Sequence, residues 1–257
     1  MNLENFLYDI EPFNLNEGIE DKGIFKAVFM AGHPGAGKTF VLDKIKSGSI
    51  EPKWVNTDKF FVKSANLDKL DPESQLKVFR EYWTNNWPLV APKIKTIGKN
   101  QMALYINSML PLACDGTSTN TSLVNRRKGL LESFGYDTSM VFVNTDLETA
   151  LERASKRERK VDPNFIKDSY QKVNKAKSFY RNLFNDWIEI ANSEGELNEQ
   201  VITRAFNKMS GFYSSLVKNP VGREYIETMK ENGWKYLSPN IMDLSEIKSV
   251  LNVWYAK

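Results

Sequence analysis

Cysteine and histidine are almost absent: the 257-residue chain has one of each, Cys114 and His33. A single thiol excludes an internal disulfide framework and a multi-cysteine zinc site. A single imidazole, set inside a glycine-rich run, leaves no Ser-His-Asp arrangement elsewhere. The apolar run around Cys114 suits a buried structural thiol. No apolar stretch approaches the ~20 residues of a membrane helix. The opening Met1-Asn2-Leu3-Glu4-Asn5 carries acid where a secretory leader carries basic residues, so a cytoplasmic protein with no membrane partner is expected. A strong charge of one sign is missing too. Against 32 acidic residues stand 35 basic ones, a formal net charge of +3, which suits phosphate-rich ligands without requiring nucleic acid.

What the chain does have is a globular composition, 41% hydrophobic and 26% charged, and enough length to bury a substantial core. It also has one decisive motif. The apolar run Phe25-Lys26-Ala27-Val28-Phe29-Met30-Ala31 leads directly into Gly32-His33-Pro34-Gly35-Ala36-Gly37-Lys38-Thr39, the pattern G-x-x-x-x-G-K-[ST]. A buried strand that delivers such a turn, with a helix after it, aims backbone N–H groups and the positive end of a helix at phosphate oxygens. Lys38 can reach the β- and γ-phosphates, and the Thr39 hydroxyl can hold Mg²⁺. His33 and Pro34 shape the loop. The implied ligand is a nucleoside triphosphate.

Strand-like and helix-like segments alternate in the βαβ manner of an α/β fold with a mostly parallel sheet. Five strands are expected, at 25–31, 53–57, 109–114, 139–143 and 187–191. Asp71-Pro72-Glu73-Ser74 reads as a helix start before Phe79, Tyr82 and Trp83, which makes residues 63–108 a mostly helical insertion. Asp146 opens a helix running to about Arg159, and Asp162-Pro163 opens one through Phe184. Beyond residue 196 the pattern turns helical, at 197–217, 221–232 and 243–256. The expected organisation is a lead-in at 1–24, a core at 25–195 with a lid at 147–165, and a helical extension at 196–257.

In an open parallel sheet, ligands sit beyond the carboxyl ends of the strands. Asp58 follows the second strand, where a carboxylate can orient an acceptor hydroxyl and take its proton; the plainer account is a helix N-cap. Asp115 ends the third strand and can hold a metal ion through water opposite Thr39, although Asp-Gly is also a good turn. Arg153 and Arg157 share one helix face, with Arg159 just beyond. Over the phosphates these cations can neutralise charge that develops during transfer, unless the run 153–160 is simply a solvated basic stretch. Arg126 and Arg127 can bind an acceptor phosphate or line an exposed helix face.

Taken together, these residues make the chain resemble the zeta-toxin-like family of P-loop kinases over about residues 25–195. The resemblance runs from Met30 to Thr39 through the glycine loop, and Asn56-Thr57-Asp58 matches the base-bearing segment. Asp115-Gly116-Thr117 stands in the place of the acidic-Gly-Thr segment, where the family usually has Glu, and Thr117 is thereby a candidate substrate contact. The pattern continues through Leu130–Asp137, Ala150, Arg153, Arg157 and Val161-Asp162-Pro163. The family's Arg-His-Pro-type substrate segment is not recognisable at 60–65. Membership implies a P-loop kinase core, sandwiched by helices and closed by a helical lid, that uses ATP or GTP with Mg²⁺. It further implies transfer of the γ-phosphoryl group to a hydroxyl of a nucleotide, sugar nucleotide or related small molecule. Basic and aromatic residues interleave after residue 196: Lys208, Lys218, Arg223, Lys230 and Lys235 stand among Phe212, Tyr213, Tyr225, Trp234 and Tyr236. This keeps a second reading open, a bacteriophage-type kinase acting on hydroxymethylated pyrimidines in DNA or on polynucleotide ends, in a host cytoplasm. A non-catalytic nucleotide-binding module is the third. No residue pattern points to a protein partner. A regulatory GTPase is disfavoured, because Asn174-Lys175-Ala176-Lys177 and Asn207-Lys208-Met209-Ser210 both lack the Asp of the guanine-selecting Asn-Lys-x-Asp.

Overall fold

The computed structural model describes residues 19, 21–45, 50–55, 70–71, 73–74, 77, 87–156, 161–193, 198–233 and 243–255. Short apolar runs form five strands: β1 (Lys26–Ala31), β2 (Lys53–Val55), β3 (Leu112–Cys114), β4 (Asp137–Asn144) and β5 (Asp186–Ala191). They make one sheet in the order β2-β3-β1-β4-β5, and every pairing is parallel. Strand β1 is central and every residue in it is buried, as a parallel sheet covered on both faces requires.

Alternation along β1 sorts its side chains between two cores. Ala27, Phe29 and Ala31 join one cluster; Val28 and Met30 join the other. The first face is covered by α2 (Trp87–Asn107), α3 (Thr121–Ser133) and α5 (Pro163–Leu183), with α8 (Leu244–Val250) and α9 (Asn252–Tyr255) adding Ile247, Leu251 and Trp254. The second is covered by α1 (Lys38–Ile45) and α6 (Glu199–Ser214), through Val41, Leu42, Ala205, Met209 and Tyr213. Two further helices are α4 (Leu147–Ser155), at the carboxyl edge of the sheet, and α7 (Pro220–Glu231), which brings Met229 to the first cluster. The helices after residue 196 therefore pack directly on the sheet.

The expected strands lie where the pattern places them, with changed ends. The third begins at Leu112 rather than residue 109, because Met109 takes a positive φ of 54° and Pro111 offers no ladder N–H. All three predicted helix starts are capped by their aspartates, and Asp71 accepts from the Glu73 and Ser74 N–H groups at 3.1 and 3.0 Å. Asp146 accepts from the Thr149 N–H at 2.7 Å. Asp162 accepts from the Asn164 N–H at 2.8 Å, just ahead of Pro163 in the first turn of α5. Residues 56–57 of the second predicted strand, and the aromatics Phe79, Tyr82 and Trp83, lie outside the described residues.

At the opposite edge, Lys26 is 1% exposed and satisfies its charge completely. Its Nζ donates to Asp137 at 2.7 Å, to Ser215 Oγ at 3.0 Å and to the Leu216 carbonyl at 3.2 Å, above the Phe212 ring. The Asp137 carboxylate also accepts the N–H groups of Lys218 and Asn219. This one ion pair fastens the α6–α7 connection beneath β1 and β4. Among the described residues, no helix is long and apolar enough to cross a membrane.

Candidate nucleotide and phosphoryl-transfer site

The glycine loop leaves β1 at Ala31 and enters α1 at Lys38. Two of its glycines are dictated by their surroundings. Gly35 has φ +86°, and a Cβ there would collide with the carbonyl oxygen of Ala150 in α4; Gly37 has φ +83°, and a Cβ there would collide with the side-chain amide of Asn192. L-residues rarely take either conformation, so the loop presses its backbone against α4 on one side and the end of β5 on the other.

Between those glycines the Ala36 carbonyl accepts two hydrogen bonds, from Thr145 Oγ1 at 3.1 Å and from Asn192 Nδ2 at 2.6 Å. His33 is buried. Its Nε2 lies 2.9 Å from the Thr145 carbonyl oxygen and its Nδ1 3.1 Å from that of Pro34, with Tyr170 of α5 edge-on to the ring. Lys38 folds across the loop and donates to the Gly32 carbonyl at 2.8 Å. Thr39 is exposed at the start of α1. The loop is thus held from behind, and Thr39 at its end lies at the surface.

Because β3 lies beside β1, the residues after β3 run along the glycine loop. The Gly32 N–H donates to the Thr117 carbonyl at 3.4 Å, and Ser118 Oγ donates to the Met30 carbonyl at 3.0 Å. Asp115 is half-buried, with one carboxylate oxygen fully buried, and its N–H donates to Val55 of β2 at 3.3 Å. Magnesium takes oxygen ligands and is usually held by one or two protein groups plus phosphates. Thr39 and Asp115 are oxygen donors of that kind, and no cage of three or more His, Cys, Asp or Glu side chains occurs among the described residues. The neighbouring Cys114 is buried, and desolvation pushes its thiol up to about 12, which makes it inert near neutral pH.

Arg153 approaches from α4. Its Nη1 donates to the Asn192 carbonyl at 2.7 Å and lies 3.8 Å from the position a Gly37 Cβ would take. Asp58, Arg157 and Arg159 lie outside the described residues. Arg126 is exposed on α3. Arg127 turns the other way: its Nε and Nη2 donate to the Trp254 carbonyl at 3.1 and 2.9 Å, and its guanidinium lies over the Trp254 ring at 4.8 Å. Packing accounts for the described aromatics after residue 196 as well. Phe212 and Tyr213 are buried, and Tyr225 stacks on Phe25; Trp234 and Tyr236 lie outside the described residues. Sequence reasoning missed Thr145 and Asn192. Each directly follows a strand, β4 or β5, at the ligand-bearing edge, and that position was the available signal.

A five-stranded parallel sheet with a glycine loop between its central strand and the next helix, flanked by an acidic loop and an arginine-bearing helix, defines a P-loop phosphotransferase of the kinase type. The sequence model of the Zeta toxin family matches residues 20–199, more than half of the chain, and the chain belongs to that family. No curated protein matches it. Among solved structures, it is similar to a candidate kinase from Chloroflexus aurantiacus J-10-fl, at 15% identity and a TM-score of 0.48, over 72% of this chain and 98% of that one. It is also similar to a chain from the PezAT chromosomal toxin–antitoxin system of Streptococcus pneumoniae, at 14% identity and a TM-score of 0.48, over 90% and 93%. Shikimate kinase from Acinetobacter baumannii follows at 13% identity and a TM-score of 0.40, over 83% and 97%.

Proposed function

We propose that this protein transfers the γ-phosphoryl group of ATP or GTP to a hydroxyl of a nucleotide, sugar nucleotide or related small molecule. The observation that carries the reading is convergence: Thr117 on one side accepts the Gly32 N–H, and Arg153 on the other holds Asn192, whose amide grips the Ala36 carbonyl of the same loop. A bare nucleotide-binding module needs the loop alone. Phosphoryl transfer also needs groups aimed at the developing charge and at the acceptor.

In the proposed reaction Lys38 leaves the Gly32 carbonyl to hold the β- and γ-phosphates, and backbone N–H groups of the loop where it enters α1, around Gly37 and Thr39, cradle them. Thr39 and Asp115 would hold magnesium, which when bound neutralises phosphate charge. Asp58 accepts the acceptor hydroxyl's proton as its oxygen bonds to the γ-phosphorus and the bond to the β-bridging oxygen breaks. Arg153, with Arg157 and Arg159 from the lid, stabilises the charge that moves onto the leaving nucleoside diphosphate. Thr117 contacts the acceptor, and Arg126, exposed on α3, is the candidate for an acceptor phosphate, whereas Arg127 holds the Trp254 carbonyl.

One observation favours a DNA acceptor as the second reading. Helix α5 exposes Phe165 and Phe179, at 52% and 43%, on the same side as Lys172 and Lys175, a mixture of ring and charge that suits single strands. The test presents γ-labelled ATP or GTP with separate pools of nucleosides and nucleotides, sugar nucleotides, hydroxymethyluracil-containing DNA and unmodified oligonucleotides. Label in a small-molecule pool supports the proposal. Label confined to DNA, with a steep salt dependence, selects the second reading. Nucleotide binding without transfer to any pool rejects both.

A further inference from the structure

Ser118 has a φ of +57°, a left-handed conformation that residues other than glycine adopt at a cost. Such outliers persist where surrounding contacts over-determine them. Here Ser118 Oγ donates to the Met30 carbonyl at 3.0 Å, and the Thr117 carbonyl just before it accepts the Gly32 N–H at 3.4 Å. The third contact comes from far along the chain. Tyr180 of α5, fully buried, donates its hydroxyl to the Ser118 carbonyl at 2.7 Å. Burial also pushes that phenol upward, so the hydroxyl keeps its proton and stays a donor.

We propose that Tyr180 is a positioning residue for phosphoryl transfer: by holding Ser118 in its left-handed turn, it sets Thr117 and Asp115 against the glycine loop. The role rests on the phosphotransferase reading, which gives Thr117 and Asp115 their work. The ring of Tyr180 packs in the core cluster on this face of the sheet. Phenylalanine would keep that packing and remove only the donor. The turn then has one fewer bond opposing its intrinsic strain, and the acidic loop relaxes away from Gly32. The same helix carries Tyr170, which meets His33 edge-on, so α5 braces both walls of the site.

The test compares Tyr180→Phe, Ser118→Gly and the double variant. Glycine takes positive φ freely, so Ser118→Gly supplies the conformation that the lost hydroxyl no longer enforces. Three quantities are read: affinity for MgATP, the rate of γ-phosphate release to water or to an acceptor, and hydrogen exchange at the Gly32 amide. Tyr180→Phe is expected to bind MgATP within about twofold of the parent. Its rate falls about tenfold and its Gly32 amide exchanges about tenfold faster, the effect of one net hydrogen bond. It also requires more Mg²⁺ for half-maximal rate. The double variant loses the Oγ bond to Met30 as well and recovers only part of the rate, through removal of the strain. An unchanged rate and unchanged Gly32 exchange in Tyr180→Phe overturn the proposal. A parent protein that binds MgATP but transfers phosphate to nothing, water included, instead rejects the phosphotransferase reading, and the exchange measurement still decides whether Tyr180 holds the loop.

Discussion

Arg153 donates to the carbonyl oxygen of Asn192 at 2.7 Å, and Asn192 in turn donates its side-chain amide to Ala36 of the glycine loop at 2.6 Å. A cation on α4 is thereby oriented by the residue that steadies the glycine loop. In the proposed reaction a guanidinium so placed would contribute mainly in the transition state, where charge moves off the γ-phosphate. Arg153→Ala is expected to lower kcat about hundredfold or more while changing nucleotide affinity only a few-fold. Arg153→Lys recovers little of the loss, because an ammonium cannot span both partners. Steady-state kinetics beside a direct binding titration checks the split.

The loop's shape gives a second expectation. Alanine at position 37 would need φ near +83° and would collide with Asn192. Gly37→Ala therefore costs about 1–3 kcal/mol of stability and displaces the Asn192 amide from Ala36, so nucleotide binding falls with it. Denaturant unfolding with and without MgATP separates the two losses. Asn192→Ala, which removes the obstacle and the hydrogen bond together, should lower binding with a smaller loss of stability.

A third prediction concerns the far edge of the sheet. Lys26→Met leaves the largely enclosed Asp137 carboxylate without its cation, though with the Lys218 and Asn219 N–H groups still on it, and is expected to destabilise the fold by about 2–4 kcal/mol. Adding Asp137→Asn should restore part of that, because the orphaned charge is then gone. Urea midpoints of the two single variants and the double variant measure the coupling.

Acid should weaken the start of α4. Hydrogen bonds from the Thr149 backbone and side chain, with one from Ser193, hold the Asp146 carboxyl down at about 2, against about 3.9 in an unfolded chain. A depressed folded value means that this stabilisation is complete above about pH 4 and disappears as pH falls toward 2. The group is exposed, so water screens the effect. Asp146→Ala is expected to cost about 1 kcal/mol at pH 7, the worth of an N-cap. Its stability curve should converge with that of the parent near pH 2, which thermal unfolding across pH 2–7 would show.

Elements made by neighbours in sequence were legible from sequence. The strand, glycine loop and helix from 25 to 45 follow from local periodicity and turn chemistry, as do the caps at Asp146 and Asp162. What sequence did not disclose depends on distant partners. The Arg127 side chain is spoken for by Trp254, 127 positions away, and nothing near Arg127 signals that. The grip on Ala36 combines Thr145 and Asn192 from two separate strand ends, and Ser118 is fixed by a tyrosine 62 residues downstream. The third strand was overextended because Met109 and Leu110 look apolar enough for a strand, whereas a positive φ at Met109 ends the regular ladder.

The most direct measurement of the central claim is transfer of γ-label from MgATP or MgGTP to an acceptor hydroxyl by the parent protein, Lys38→Ala and Asp58→Asn. Lys38→Ala removes the cation that holds the phosphates, and Asp58→Asn removes the base while keeping the shape of the side chain. Rapid transfer by the parent is expected, with loss of at least about two orders of magnitude in each variant. Asp58→Asn should still bind nucleotide. Transfer at the parent rate by Asp58→Asn, or none by the parent across every acceptor pool, would contradict that claim.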